Sequence, residues 1–246
     1  MVPRLAADPL RTAVLTDFDG TLSRIVDDPA AAIPLPDVRE VLYQLDRRYG
    51  RVAVVSGRPV SYLVDKLGSG LWLSGLYGLE SLEDGELVEA PVAAAWRPVI
   101  EESVERAREV FGHLVEDKGL SMTLHFRSAP DREGQARAWA AAENDRTGLV
   151  VRPAKASVEL HPPVATDKGT VVEAIAGEFA AACFLGDDVG DLPAFDGLDR
   201  LAERGIATLR VAVHTPEAPP EMLRRADIVV EGPEGALGFL RGLLVA

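Results

Sequence analysis

Three short apolar runs in this chain each break off into small, acidic or hydroxyl-bearing residues, and those breaks constrain the fold more than any other feature. Thr12 to Phe18 ends on Asp17 and Asp19, Val52 to Val55 runs into Ser56-Gly57-Arg58, and Ala182 to Leu185 runs into Gly186-Asp187-Asp188. Apolar runs of this length, bounded by turn residues, read as strands buried on both faces. Helical patterns lie between them. Asp37 is positioned to cap an apolar face of Val38, Val41, Leu42 and Leu45 stopped at Gly50, and Pro59 opens a second helix to Leu67. Leu71 to Leu76 is a further apolar stretch. Strand alternating with helix predicts a parallel α/β sheet.

The middle of the chain departs from this rhythm. Glu83-Asp84-Gly85-Glu86 is a turn signal, followed by a helical pattern from Trp96 to Phe111. Leu114–Val115 and Ser121–Phe126 read as a hairpin around Lys118-Gly119, and a second helix spans about Asp131 to Asp145. Leu149–Val151 and Ser157–Leu160 add two strands. The α/β rhythm resumes with a helix over 168–179, strands at 182–185, 208–213 and 228–230, and a closing helix over 233–244. The expected organisation is a core of residues 1–80 with 164–246, and an α+β insertion over 81–163.

Charge narrows the ligand. With 26 Lys and Arg against 39 Asp and Glu, the 246-residue chain carries −13 at pH 7. That balance disfavours nucleic acid and anionic membrane as partners, since both recruit basic patches. Only four of the cations are lysines: Lys66, Lys118, Lys155 and Lys168. The single Cys183 allows no internal disulfide and no thiolate metal cage. With no apolar run resembling a signal peptide or a membrane span, a reducing cytoplasm is the expected setting.

In parallel α/β sheets, ligands bind beyond the carboxyl ends of the strands. Asp17-Phe18-Asp19-Gly20-Thr21, Ser56-Gly57-Arg58, Lys168-Gly169 and Gly186-Asp187-Asp188-Val189-Gly190-Asp191 should converge there. Any one such acid pair is commonly a turn former or helix cap. Together these carboxylates need a cation, and an all-oxygen donor set suits a hard ion such as Mg²⁺. A calcium loop of the EF-hand type and a nucleotide-binding P-loop are both absent. Ser56 and Lys168, near expected helix N-termini, suit a phosphate, while Arg58 is open between phosphate contact and turn capping.

In this order, the four segments resemble the motifs of the haloacid dehalogenase superfamily of phosphohydrolases, and the insertion resembles that superfamily's α+β cap of the Cof type. Within it the chain is most similar to the trehalose-6-phosphate phosphatases. Glu116-Asp117-Lys118-Gly119, His125-Phe126-Arg127 and Lys155-Ala156-Ser157-Val158-Glu159-Leu160 carry that likeness. Gly75-Leu76-Tyr77-Gly78-Leu79-Glu80 follows the family pattern except for Tyr77 in place of His, and Gly190-Asp191-Leu192 replaces Thr-Asp-Glu.

The resemblance implies a Rossmann-like core and a set of roles. Asp17 is the nucleophile that forms an aspartyl-phosphate, and Asp19 the general acid and then base. Mg²⁺ sits among the Asp17 side chain, the Asp19 carbonyl and Asp187, with Asp188 and Asp191 orienting ligands or waters. Ser56, Gly57 and Lys168 hold the phosphoryl group, and Glu116, Lys118, Arg127, Lys155 and Glu159 hold a sugar. The implied substrate is trehalose 6-phosphate. Sucrose 6-phosphate, a glycosyl-phosphoglycerate or a hexose phosphate are alternatives, and a sugar-phosphate-binding protein without catalysis is a more distant one.

Overall fold

The computed structural model describes residues 2–26, 31–154, 156–216 and 218–245. They divide into two compact units, residues 1–88 with 166–246 and residues 89–165.

The first unit begins with helix α1 (Val2–Ala7), β1 (Thr12–Thr16), α2 (Val38–Asp46), β2 (Arg51–Val55), α3 (Val60–Leu67) and β3 (Trp72–Gly75). β1 is buried at every position, as its unbroken apolar composition requires of a strand covered on both faces. α2 starts where the sequence indicates, but Asp37 makes no side-chain cap. Its backbone is left-handed (φ 71°) and its carboxylate pairs with Arg241 at 2.7 Å. The turn at 83–86 is a hairpin joining β4 (Glu80–Glu83) to β5 (Glu86–Glu89). β4 lies antiparallel to β3, which is why the chain's first unit extends past residue 80.

The second unit contains α4 (Pro91–Ala94), α5 (Arg97–Phe111), β6 (Val115–Asp117), β7 (Met122–His125), α6 (Glu133–Thr147), β8 (Val150–Ala154) and β9 (Ser157–His161). Its sheet has the order β6-β7-β9-β8, antiparallel throughout. One core joins Ile100, Val104, Ala107 and Phe111 of α5 to Met122, Leu124, Val158 and Leu160 of the strands. Between the helices, Ser103 donates to the buried Glu143, which also pairs with Arg146 at 2.5 Å. Trp96 and Trp139 pack at the margin of this core.

The chain then completes the first unit with α7 (Lys168–Ala176), β10 (Ala181–Gly186), α8 (Leu192–Glu203), β11 (Ala207–His214), α9 (Pro220–Arg225), β12 (Ile228–Glu231) and α10 (Gly232–Val245). The eight-stranded sheet runs β12-β11-β10-β1-β2-β3-β4-β5. All pairs from β12 to β3 are parallel. Successive residues of β1 point to opposite layers, Val14 into the one containing Leu42, Leu63 and Leu240, and Leu15 into the one containing Val172, Phe195 and Leu198. Cys183 is buried in the first layer, and burial pushes its thiol up to about 12, so it is an inert core residue. Trp72 packs against the second layer.

α8 has no counterpart in the sequence reading, because Pro193 and Gly197 mask an apolar face of Phe195, Leu198 and Leu201. Gly197 is there for packing. A Cβ on it would lie 2.6 Å from the Gly169 carbonyl oxygen, so α7 and α8 touch backbone to backbone one residue beyond Lys168. Replacing an exposed helical Gly with Ala ordinarily stabilises a protein by about 1 kcal/mol. Here Gly197→Ala is expected to destabilise by about 2 kcal/mol through that overlap, read as a lower urea midpoint. A raised midpoint would mean the two backbones can separate at no cost.

Candidate active site

The strand register assembles the site. β1 and β10 are neighbours with Thr16 opposite Leu185, and the Asp17 amide donates to the Leu185 carbonyl at 2.8 Å. Asp17 and Asp187 therefore leave adjacent strand ends side by side. β2 pairs with the other side of β1 and releases Ser56, while Thr215 follows the end of β11. Lys168 is the first residue of α7, whose N-terminus is closed by Asp167 accepting from the Thr170 amide at 2.8 Å.

Carboxylate oxygens of Asp17, Asp187 and Asp191 lie within 4.8 Å of one another, all buried. Lys168 Nζ donates to Asp17 Oδ1 at 2.6 Å and to Asp191 Oδ1 at 2.5 Å. Burial disfavours its charge, but Asp17 and Asp191 overcome that and hold the ammonium well above the usual lysine range. Asp191 Oδ2 accepts from the Asp187 and Asp188 amides at 2.9 and 3.2 Å, fixing the loop between them. Asp188 itself is exposed and stands outside the three-acid cluster. Burial, then Asp191 and Asp17, push the Asp187 carboxyl up to about 9. Thr215 donates to Asp187 Oδ2 at 3.2 Å.

Ser56 is buried, and its Oγ accepts from the Arg58 amide at 3.1 Å. A Cβ on Gly57 would lie 2.6 Å from the Tyr77 hydroxyl oxygen, so a side chain there would require the ring to move. Tyr77 holds this place with a left-handed backbone (φ 57°, ψ 32°), directly after Leu76 at φ 52°. Its amide donates to the Ser56 carbonyl at 3.1 Å, and its carbonyl accepts from Thr166 Oγ1 at 2.9 Å. Asp19 takes no part in the acid cluster. Arg58 grips it with two hydrogen bonds, Nε to Oδ2 at 2.7 Å and Nη2 to Oδ1 at 2.8 Å.

The second unit gathers its own polar set. Glu116 lies opposite Thr123, and Thr123 opposite Glu159, so all three share one sheet face. Lys118 Nζ donates to Glu159 Oε1 at 2.8 Å, Ser121 Oγ to the same oxygen at 3.1 Å, and His161 lies 3.2 Å away. Burial pushes the Glu159 carboxyl up, but Lys118 and His161 overcome it and hold the group well below the usual carboxylate range. Glu116 pairs with His125 at 2.8 Å. Arg127 is half-buried two residues beyond β7. Lys155, which the sequence reading also assigned to the sugar, lies outside the described residues.

Residues 15–226 match the family model described as trehalose-phosphatase. The chain belongs to the trehalose-phosphatase family. It is 37% identical over 202 residues to the trehalose-phosphate phosphatase of Mycobacterium ulcerans, covering 76% of this chain and 52% of that protein. The chain thus spans about half the length of the curated relatives it matches. Its fold is similar to a solved trehalose-6-phosphate phosphatase related protein, with a TM-score of 0.81 at 20% identity over 95% of this chain and 97% of that one. It is also similar to the C-terminal domain of the Candida albicans trehalose-6-phosphate phosphatase, with a TM-score of 0.78 at 24% identity over 99% of this chain and 95% of that one. The core is a haloacid dehalogenase fold, as its motifs imply.

Members of this superfamily work with a divalent metal, and the donor set here fits one. Three buried carboxylates face one ammonium, an excess of acids whose ionised forms a dication would balance. All the donors are oxygens, as a hard ion prefers. One residue and one pairing eluded the sequence reading. Thr215 was signalled only by its place just past a strand end, and the grip of Arg58 on Asp19 joins residues that no local pattern connects.

Two outcomes follow from these charges. Asp187→Asn should raise metal-free stability by removing the cost of burying a third acid beside Asp191 and Asp17, and should abolish any rise in melting temperature on adding a divalent cation. Lys118→Met should cost about 3 kcal/mol at neutral pH by removing the ammonium from the buried Glu159, which keeps only Ser121 and His161 beside it. Because Glu159 has a depressed pKa in the folded protein, its contribution is complete above the unfolded value of about 4.3 and is lost as pH falls. Urea titrations should therefore show the Lys118→Met deficit shrinking under acid conditions, and a constant deficit would mean the pair is not ionic.

Proposed function

We propose that this chain is a phosphatase that hydrolyses trehalose 6-phosphate to trehalose and phosphate. The observation that carries the reading is the junction of Asp17, Asp187, Asp191 and Lys168 at adjacent strand ends, in a chain of the trehalose-phosphatase family. Asp17 attacks phosphorus in line, and the sugar oxygen leaves as an aspartyl-phosphate forms. Asp19 gives a proton to that oxygen, worth about 10²–10⁴-fold for so poor a leaving group, and later takes one from the hydrolytic water. Lys168, the Ser56 hydroxyl and the Gly57 backbone hold the phosphoryl oxygens.

Asp17, Asp187 and the Asp19 carbonyl would hold Mg²⁺, with Asp191 and Asp188 fixing the loop that presents them. When bound, the ion offsets the repulsion between an anionic nucleophile and an anionic phosphate.

The sugar would be read by Glu116, Lys118, Arg127, Lys155 and Glu159. A buried Thr123 Oγ1 without a hydrogen-bond partner, on the face that carries Glu116 and Glu159, supports a hydroxylated ligand there. The partner is a small molecule. Among the described residues no helix is long and apolar enough to cross a membrane. A cytoplasmic setting is supported by a sequence whose one cysteine is a buried thiol.

Phosphate release from a panel of sugar phosphates, with Mg²⁺ or with EDTA, tests this. Trehalose 6-phosphate should have the highest kcat/KM, EDTA should abolish turnover, and Asp17→Asn should lower kcat at least 10³-fold. A tenfold preference for another sugar phosphate would replace the substrate, and full activity of Asp17→Asn would sink the mechanism.

A further inference from the structure

Asp19 has the most demanding task in this mechanism and is the acid the cluster leaves out. Both its oxygens accept from Arg58, at 2.7 and 2.8 Å, in the parallel geometry that a guanidinium imposes on a carboxylate. The two partners differ in freedom. Asp19 is 36% exposed, whereas Arg58 is only 11% exposed. The Arg58 guanidinium stacks 4.5 Å over the Tyr62 ring. That ring is fixed in turn, edge-on to Phe18 and with its hydroxyl donating to the Ala32 carbonyl at 2.7 Å. Arg58 is thus the anchored member, and its own amide is tied to Ser56 Oγ in the loop assigned to phosphate.

We infer that Arg58 is the positioning residue for Asp19, holding its carboxyl out of the Asp17–Asp187–Asp191 cluster and aimed at the oxygen that leaves phosphorus. Without this grip a half-exposed carboxylate, two residues from Asp17, is free to turn to Lys168 or to a metal. When Asp19 carries the proton it gives, the protonated oxygen leaves its contact with Arg58 and its O–H faces the leaving oxygen, while the other oxygen still accepts from Arg58 and keeps the side chain aimed. A fork supplies this and a single ammonium does not. The inference rests on the reading of Asp19 as general acid.

Leaving-group dependence is the test, using kcat/KM because it reports only steps up to departure of the leaving group. A sugar alkoxide needs a proton, and the nitrophenolate of p-nitrophenyl phosphate does not. Arg58→Gln should lower kcat/KM for the best sugar phosphate by about 10–100-fold, and by at least tenfold more than for p-nitrophenyl phosphate. Arg58→Lys should fall between Arg58→Gln and the unsubstituted enzyme. Adding Arg58→Gln to Asp19→Asn should cost little more than Asp19→Asn alone, since the two residues act as one unit. Equal losses with both substrates, or additive losses in the double variant, would overturn the inference and assign Arg58 to phosphate or to the fold. If Asp19→Asn itself shows no selective loss for the sugar phosphate, the acid reading of Asp19 falls, a result distinct from failure at Arg58 alone.

Discussion

The structure turns on one buried ammonium. Lys168 reaches Asp17 from the end of β1 and Asp191 from the turn after β10, so a single side chain joins two strands and the helix that bears it. Breaking a buried ion pair by removing one partner typically costs about 3–5 kcal/mol, because the other charge is left uncompensated. Yet one cation cannot neutralise three acids. The excess of acids is what a divalent ion would balance, and without Lys168 both Asp17 and Asp191 would lose the ammonium that each contacts.

Each of the surrounding devices maintains that imbalance without letting it grow. Asp191 spends one oxygen on Lys168 and the other on two backbone amides, so it shapes the loop more than it offers a free ligand atom. Asp188 stands outside the three-acid group, its side chain capping the turn that carries Asp191. Asp19 is given a cation of its own. Of the five acids clustered in sequence, the fold concentrates three and disperses two. The −13 of the whole chain is therefore a poor guide to local potential.

What could be read from sequence had local causes. Strand ends, the helix start at Lys168 and the hairpin at 83–86 are set by apolar runs and turn residues, and the register of β1 against β10 makes their consequences spatial. The rest depends on contacts between distant residues. α8 is hidden in the sequence because Gly197 is chosen for a backbone it touches rather than for helix propensity. Arg58 lies 39 residues from its partner, and Lys118 lies 41 from Glu159, so neither pairing has a sequence signal. The latter also changes how the polar residues of the second unit are viewed. Lys118 and Glu159 are first of all partners of each other, and any sugar they meet faces a charge pair already formed.

The contact between Tyr77 and Gly57 ties two positions together. A left-handed backbone at a non-glycine residue costs about 1–3 kcal/mol, so Tyr77 and Leu76 before it are held against local preference. The ring occupies the volume that any side chain at 57 would need. The two positions therefore share one allotment of space, and a larger residue at 57 displaces the ring at 77 or needs a smaller one there. The constraint runs one way: enlarging residue 57 requires the ring at 77 to move or shrink, whereas shortening residue 77 meets no such barrier and only opens space beside Gly57.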